Sequence, residues 1–149
     1  MNRVCFDASA ALAFVLPDEP LHAQAVAHLT ALAAQGVTIY TPAMFAYECD
    51  SVIRLRVWKG ALTLPQAQTA RAALDALPLV IEYDPNDRAR AFQIALDYDQ
   101  PRVYDASYAA HAQARDVELV TTDLPFFEAV NGAKKPKNLP ALLFVKMLS

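Results

Sequence analysis

No surplus of basic residues marks this chain. Thirteen Lys and Arg stand against sixteen Asp and Glu, a net charge of −3 over 149 residues. A protein that holds a polyanion by charge alone carries the opposite balance. Any nucleic-acid role must therefore rest on a local basic patch or on bound metal. Cysteine is nearly absent: Cys5 and Cys49 each sit in an apolar context. Two thiols make neither a disulfide framework nor a zinc spacing, and they read as small buried hydrophobes. No run approaches the roughly 18 apolar residues of a membrane helix, so no membrane role is expected. Asp7 interrupts the apolar N-terminal stretch, which argues against a signal peptide and for a cytoplasmic location. Linkers, low-complexity tracts and solenoid repeats are missing too.

What remains is an apolar, globular composition, 55% hydrophobic and 19% charged, long enough for one domain spanning residues 1–149 with a real core. Strand-like and helix-like patterns alternate. Strands are expected at 3–7, 37–40, 79–83, 118–122 and 141–146. Helices are expected at 9–16, stopped by Pro17, and at 19–35, closed by Gly36. Thr41-Pro42 reads as an N-cap followed by a first-turn proline, opening a helix that runs to about Lys59 and closes at Gly60. Further helices are expected at 64–77, 85–99, 104–115 and 124–131. Such alternation implies an α/β domain with a mainly parallel sheet, whose sites lie at the carboxyl ends of the strands. Asp7 and Asp123 both stand where a strand ends.

The informative residues are acids in apolar settings. On a helix over 42–59, Met44, Glu48, Val52 and Leu55 make one stripe expected to face the core, with Phe45 and Cys49 beside it. A buried carboxylate there needs a cationic partner, a proton or a metal. Asp7, in "FDASAALA", and Asp105, in "VYDASYAAHAQ", each either cap the helix that follows or serve a site; Asp123 either caps the helix at 124–131 or joins them. Taken together, the four suggest convergence on one rim. Like charges gathered in this way require a cation. Oxygen donors without His or Cys select Mg²⁺ or Mn²⁺, whose chemistry in such a setting is phosphodiester hydrolysis.

Four segments in order, "FDASAALA" at 6–13, "TPAMFAYECDSVIR" at 41–54, "VYDASYAAHAQ" at 103–113 and "LVTTDLPFF" at 119–127, resemble the PIN-domain family, and within it the VapC-type toxin ribonucleases of type II toxin–antitoxin (VapBC) systems. The resemblance implies a three-layer α/β/α sandwich around a mainly parallel sheet of about five short strands. It places the family's metal-binding, catalytic acids on Asp7, Glu48, Asp105 and Asp123, with Ser9 and Thr121 as supporting hydroxyls. It implies a Mg²⁺- or Mn²⁺-dependent endoribonuclease with an RNA substrate, a homodimer, and a small VapB-like antitoxin. Many relatives carry a further acid or amide soon after the last Asp; here Leu124-Pro125-Phe126-Phe127 intervenes before Glu128. Two other functions are compatible with the same residues: a PIN nuclease of RNA processing without an antitoxin, and a catalytically inactive PIN binding module.

The remaining residues carry weaker readings. Arg54, Arg56 and Lys59 form either a solvated face near a helix end or a track contacting RNA phosphates. Lys134, Lys135 and Lys137 make a small basic loop. His22, His28 and His111 lack metal spacing. Tyr47, Trp58, Phe126 and Phe127 are expected to pack in the interior. Asp75, Asp84, Asp87, Asp97, Asp99 and Asp116 are expected to be surface or capping acids.

Overall fold

The computed structural model describes residues 3–149. Five short strands run parallel: β1 (Arg3–Phe6), β2 (Thr38–Pro42), β3 (Leu79–Glu82), β4 (Glu118–Thr121) and β5 (Val145–Met147). Their order in the sheet is β3-β2-β1-β4-β5. Seven helices connect them: α1 (Ala8–Val15), α2 (His22–Ala34), α3 (Phe45–Trp58), α4 (Leu64–Asp75), α5 (Pro85–Asp97), α6 (Tyr104–Ala114) and α7 (Leu124–Val130).

Side-chain alternation along the central strands generates the layers. Val4, Phe6, Ile39 and Val120 point to one face, where they meet Ala25 and Leu29 of α2 and the Ala10 and Ala13 side of α1. Cys5, Leu119 and Val145 point to the other, where α3, α5, α6 and α7 cover them. The expected three-layer α/β sandwich with a parallel sheet is what forms. Both thiols are buried in the second core, and burial, followed by the charge of Glu48, pushes the Cys49 thiol up to about 12. Gly36 and Gly60 close α2 and α3 at φ +67° and +75°, a conformation that costs glycine little.

Three local expectations need correction. Thr41 and Pro42 do not open a helix. They finish β2, paired with Ile81 and Glu82 of β3. Thr41 is fully buried, and its hydroxyl donates to the Phe6 carbonyl at 3.3 Å. Helix α3 starts at Phe45 without a side-chain cap; tertiary pairing of a β-branched residue outweighs the cap signature. The last strand is shorter and later than 141–146, because ladder pairing with β4 begins only at Val145. The second helix begins at His22 rather than at 19. Asp18 and Glu19 precede it in a turn, where both hold Arg56.

The order β3-β2-β1-β4-β5 means the chain runs outward from β1 in one direction, then returns and runs outward in the other from β4. The switch point lies between β1 and β4, and a crevice forms outside the carboxyl ends of such a pair.

Candidate active site

Asp7 follows directly on β1 at this switch point. It is the N-cap of α1 and only 5% exposed. Its Oδ1 accepts from the Ala10 amide at 2.9 Å and from the Ser9 hydroxyl at 2.6 Å. Its Oδ2 accepts from the Thr121 hydroxyl in a short contact. Asp123 sits just past β4 as the N-cap of α7, where its Oδ1 accepts from the Phe126 amide at 3.0 Å. The two strand ends are tied together. The Asp123 amide donates to Thr121 Oγ1 at 2.9 Å and the Thr122 amide donates to Ser9 Oγ at 3.0 Å. Capping and site membership are thus compatible for Asp7 and Asp123, since capping uses only one carboxylate oxygen. Asp105 is different: it lies inside the first turn of α6, whose N-cap is Val103, so it caps nothing.

Glu48 occupies the first turn of α3. The core side of that helix is Phe45, Cys49 and Ile53; Leu55 is exposed, contrary to the stripe expected from periodicity. Glu48 therefore lies on the border of core and solvent. Its Oε2 accepts from the Tyr108 hydroxyl at 3.1 Å. Sequence reasoning missed Tyr108, although its position three residues after Asp105 puts both on one face of α6.

The electrostatics show a cluster short of positive charge. Burial raises the Asp7 carboxyl above its usual range, its hydrogen bonds pull the other way, and Asp123 adds to the rise. Burial likewise raises Glu48; the Tyr108 hydroxyl opposes this, while Asp7 and Asp123 reinforce it. Asp105 is raised to about 7 by burial, then by the charges of Asp123, Asp7 and Glu48 and a hydrogen bond shared with Asp123. Among the described residues none of the four takes part in an ion pair; all the cationic partners are elsewhere. The donors are all oxygen and the charge deficit is of the sign a hard divalent cation relieves, so the residues fit such an ion. No three acidic side chains among the described residues stand around one ready-made ligation point.

The basic residues do not gather here. Arg56 is committed to Asp18, at 2.9 Å, and to Glu19. Lys59 ends α3 three turns beyond Glu48, about 16 Å along the axis at 1.5 Å per residue. Arg54 points out on the exposed side of α3, away from Phe45 and Cys49. Tyr47 and Trp58 are not interior: they are 81% and 72% exposed. Phe126 is buried as expected.

The family description of the PIN domain matches residues 4–132. The chain belongs to the PIN-domain family. Among solved structures, this PIN domain resembles that of VapBC2 from Rickettsia felis bound to a promoter DNA fragment, with TM-score 0.67, 15% identity, and 99% of each chain covered. It also resembles a protein of Pyrobaculum aerophilum (TM-score 0.63, 20% identity, 88% of this chain and 81% of that one). A third likeness is to FitAcB from Neisseria gonorrhoeae (TM-score 0.54, 18% identity, 85% of this chain and 91% of that one). Comparison with curated proteins gives no match.

Within the site, Thr121 has a measurable role. Its hydroxyl bridges Asp7 and the Asp123 amide. Thr121→Val keeps the shape and removes both contacts. For the divalent ion proposed below, affinity for Mn²⁺ measured by calorimetric titration is expected to fall by roughly 10–100-fold, the scale for losing a group that orients a metal ligand.

Proposed function

We propose that this PIN domain is a Mg²⁺- or Mn²⁺-dependent endoribonuclease acting as the toxin of a toxin–antitoxin pair. The observation that carries the proposal is the set of four carboxylates at the switch-point rim with no cationic partner. A divalent ion there would activate water and offset charge on the leaving oxygen of a phosphodiester. Asp7, Glu48, Asp105 and Asp123 would hold it, directly or through water. Ser9, Thr121 and the Ala10 amide fix the Asp7 carboxylate in one orientation before any ion arrives. Tyr108 does the same for one oxygen of Glu48, leaving the other without a hydrogen-bond partner among the described residues. No neighbouring His or Lys is needed to take a proton.

RNA as the substrate, a VapB-like antitoxin and a homodimer are parts of the same proposal. They are supported by the family's ordered motifs and by toxin–antitoxin complexes among the similar folds, including one from Klebsiella pneumoniae at TM-score 0.52. The test is incubation of the purified chain with mixed cellular RNA in Mg²⁺ or Mn²⁺, then with EDTA. Discrete fragments that disappear with EDTA are expected. Intact RNA under every metal condition would refute the nuclease.

A further inference from the structure

Beside the acids, a groove of about 900 Å³ opens between the first turns of α5 and α6 and the approach to α3. That volume suits a small organic group. Its rim carries the exposed rings of Tyr83, Phe92 and Tyr104, with Pro42, Met44 and Val103 as apolar wall. Three aromatic rings left in water around one groove call for an occupant. The groove is continuous with the acidic site. Tyr104 lines it and Asp105 is the next residue, so their Cα atoms are about 3.8 Å apart. Ser107 lines it too, and its hydroxyl is 3.0 Å from the Met44 sulfur. The Met44 carbonyl in turn accepts from the Glu48 amide at 3.0 Å. Groove and site thus share the first turns of α3 and α6.

The charges around the groove select the occupant. Arg88 lines it, and Arg102 stands three residues before Asp105. Neither has a hydrogen-bond or ion-pair partner for its guanidinium among the described residues. Two of the groove carboxylates are already balanced: Glu82 holds Arg115, and Asp87 holds His111, Arg115 and Arg90. Asp84 has no cation among the described residues. Its Oδ1 accepts from the Asn86 amide at 2.8 Å, and its Oδ2 has no hydrogen-bond partner among them. Aromatic faces flanked by cations are how proteins hold an unpaired base and its phosphates. A strand whose phosphate lies at the acids must place a neighbouring base close to Tyr104. A carboxylate only accepts, so Asp84 favours a base with an exocyclic amino group: adenine, cytosine or guanine. The exocyclic groups of uracil are carbonyls, which a carboxylate repels.

We infer that this groove holds one unpaired nucleobase of the RNA strand cut at the acids. The rim rings stack on the base, Arg88 and Arg102 meet the flanking phosphates, and Asp84 reads the amino group. The inference rests on the endoribonuclease reading above. It adds a single-stranded substrate and a base preference at one position beside the cut.

Binding is measured by fluorescence anisotropy with short labelled oligo(A), oligo(C), oligo(U) and an RNA duplex. The full chain carries Asp105→Asn and Mg²⁺ is present, so that the strands survive. Oligo(A) and oligo(C) are expected to bind about fivefold more tightly than oligo(U) or the duplex, the low end for one base-reading contact. Asp84→Asn keeps an oxygen to cap α5 and is expected to remove that preference. Tyr104→Ala and Phe92→Ala should each weaken binding about tenfold, the scale of one base–aromatic stack, while Tyr104→Phe retains it. Arg88→Ala should lower the salt slope by about 0.7, the value for one phosphate contact to a single strand. Far-UV circular dichroism confirms that each variant folds. Fragment ends that the wild type makes from mixed cellular RNA should be poor in uracil at one fixed position, and Asp84→Asn should lose that bias. Tyr104→Ala and Phe92→Ala chains that bind every RNA like their parent overturn the inference. If they instead lose self-association in sedimentation, with RNA binding unchanged, the groove is a protein interface and the inference falls. A preference that survives Asp84→Asn overturns the reading of the base edge. Groove-dependent binding without cleavage by the wild type in any metal supports the groove and refutes the nuclease.

Discussion

Asp105→Asn is expected to slow RNA cleavage severely while stabilising the metal-free protein. The two effects have one origin. Asp105 is raised to about 7 by burial and by three neighbouring carboxylates, so its ionised form is the costly one in the fold and the useful one for a cation. Removing the charge should lower the cleavage rate by on the order of 10²–10³, the scale of losing one charge-stabilising group from a catalytic site. The sign of the stability effect follows from linkage. In the unfolded chain this carboxyl ionises near 3.8; in the folded one near 7. Between those values the folded state binds more protons, so this group makes stability fall as pH rises. The melting temperature of Asp105→Asn minus that of the wild type should therefore grow from about pH 4 to pH 7 and level off above. A plateau of at least roughly 2–4 °C is expected, the shift that about 1 kcal/mol produces in a chain of this size. Adding Mn²⁺ should raise the wild type at pH 8 and leave the variant nearly unmoved. A variant that loses stability and keeps cleavage would make Asp105 a structural residue.

The second large effect lies away from the acids. Asp87→Ala is expected to cost about 3–5 kcal/mol, the scale for removing one partner of a buried ion pair. Asp87 is 7% exposed. Its carboxylate accepts from His111 Nδ1 at 2.9 Å, from Arg115 at 2.9 Å and from Arg90 at 3.3 Å. Arg115 reaches on to Glu82 at 3.2 Å, so the network joins α5, the end of α6 and β3. The substitution leaves the Arg115 guanidinium only Glu82 and the His111 carbonyl, and takes its partner from Nδ1 of a fully buried imidazole whose Nε2 has no partner among the described residues. Thermal unfolding should drop by about 10 °C or more; a drop within a degree or two would show the network to be dispensable. This network also contributes its own acid sensitivity. Burial, then the charge of Arg115, lowers the His111 pKa. A base whose folded pKa is depressed costs stability as pH falls below its unfolded value, about 6.5, so acid loosens this clamp.

Asp87 shows where the sequence stops being informative. It stands in the first turn of a helix, where an acid is ordinary, and nothing local distinguishes it from Asp84, which does cap α5 through the Asn86 amide. Its partners His111 and Arg115 come from another helix. Tyr47 and Trp58 failed for the converse reason: large rings read as interior, yet the face of α3 they occupy looks outward. Thr41-Pro42 carried a sound capping signature that strand pairing overruled.

The alternation of patterns determined the α/β class, and the order of strand ends and acids determined which residues to suspect. Those are local properties: periodicity of burial, stop residues, and a carboxylate after an apolar run. The tertiary structure alone decided that Asp7 and Asp123 share the switch point, linked through Ser9 and Thr121. It alone placed Tyr108 on Glu48, took Arg56 for a structural pair, and turned Trp58 outward. Each of these depends on which segments pack together, and free energy at that level comes from partners distant in the chain.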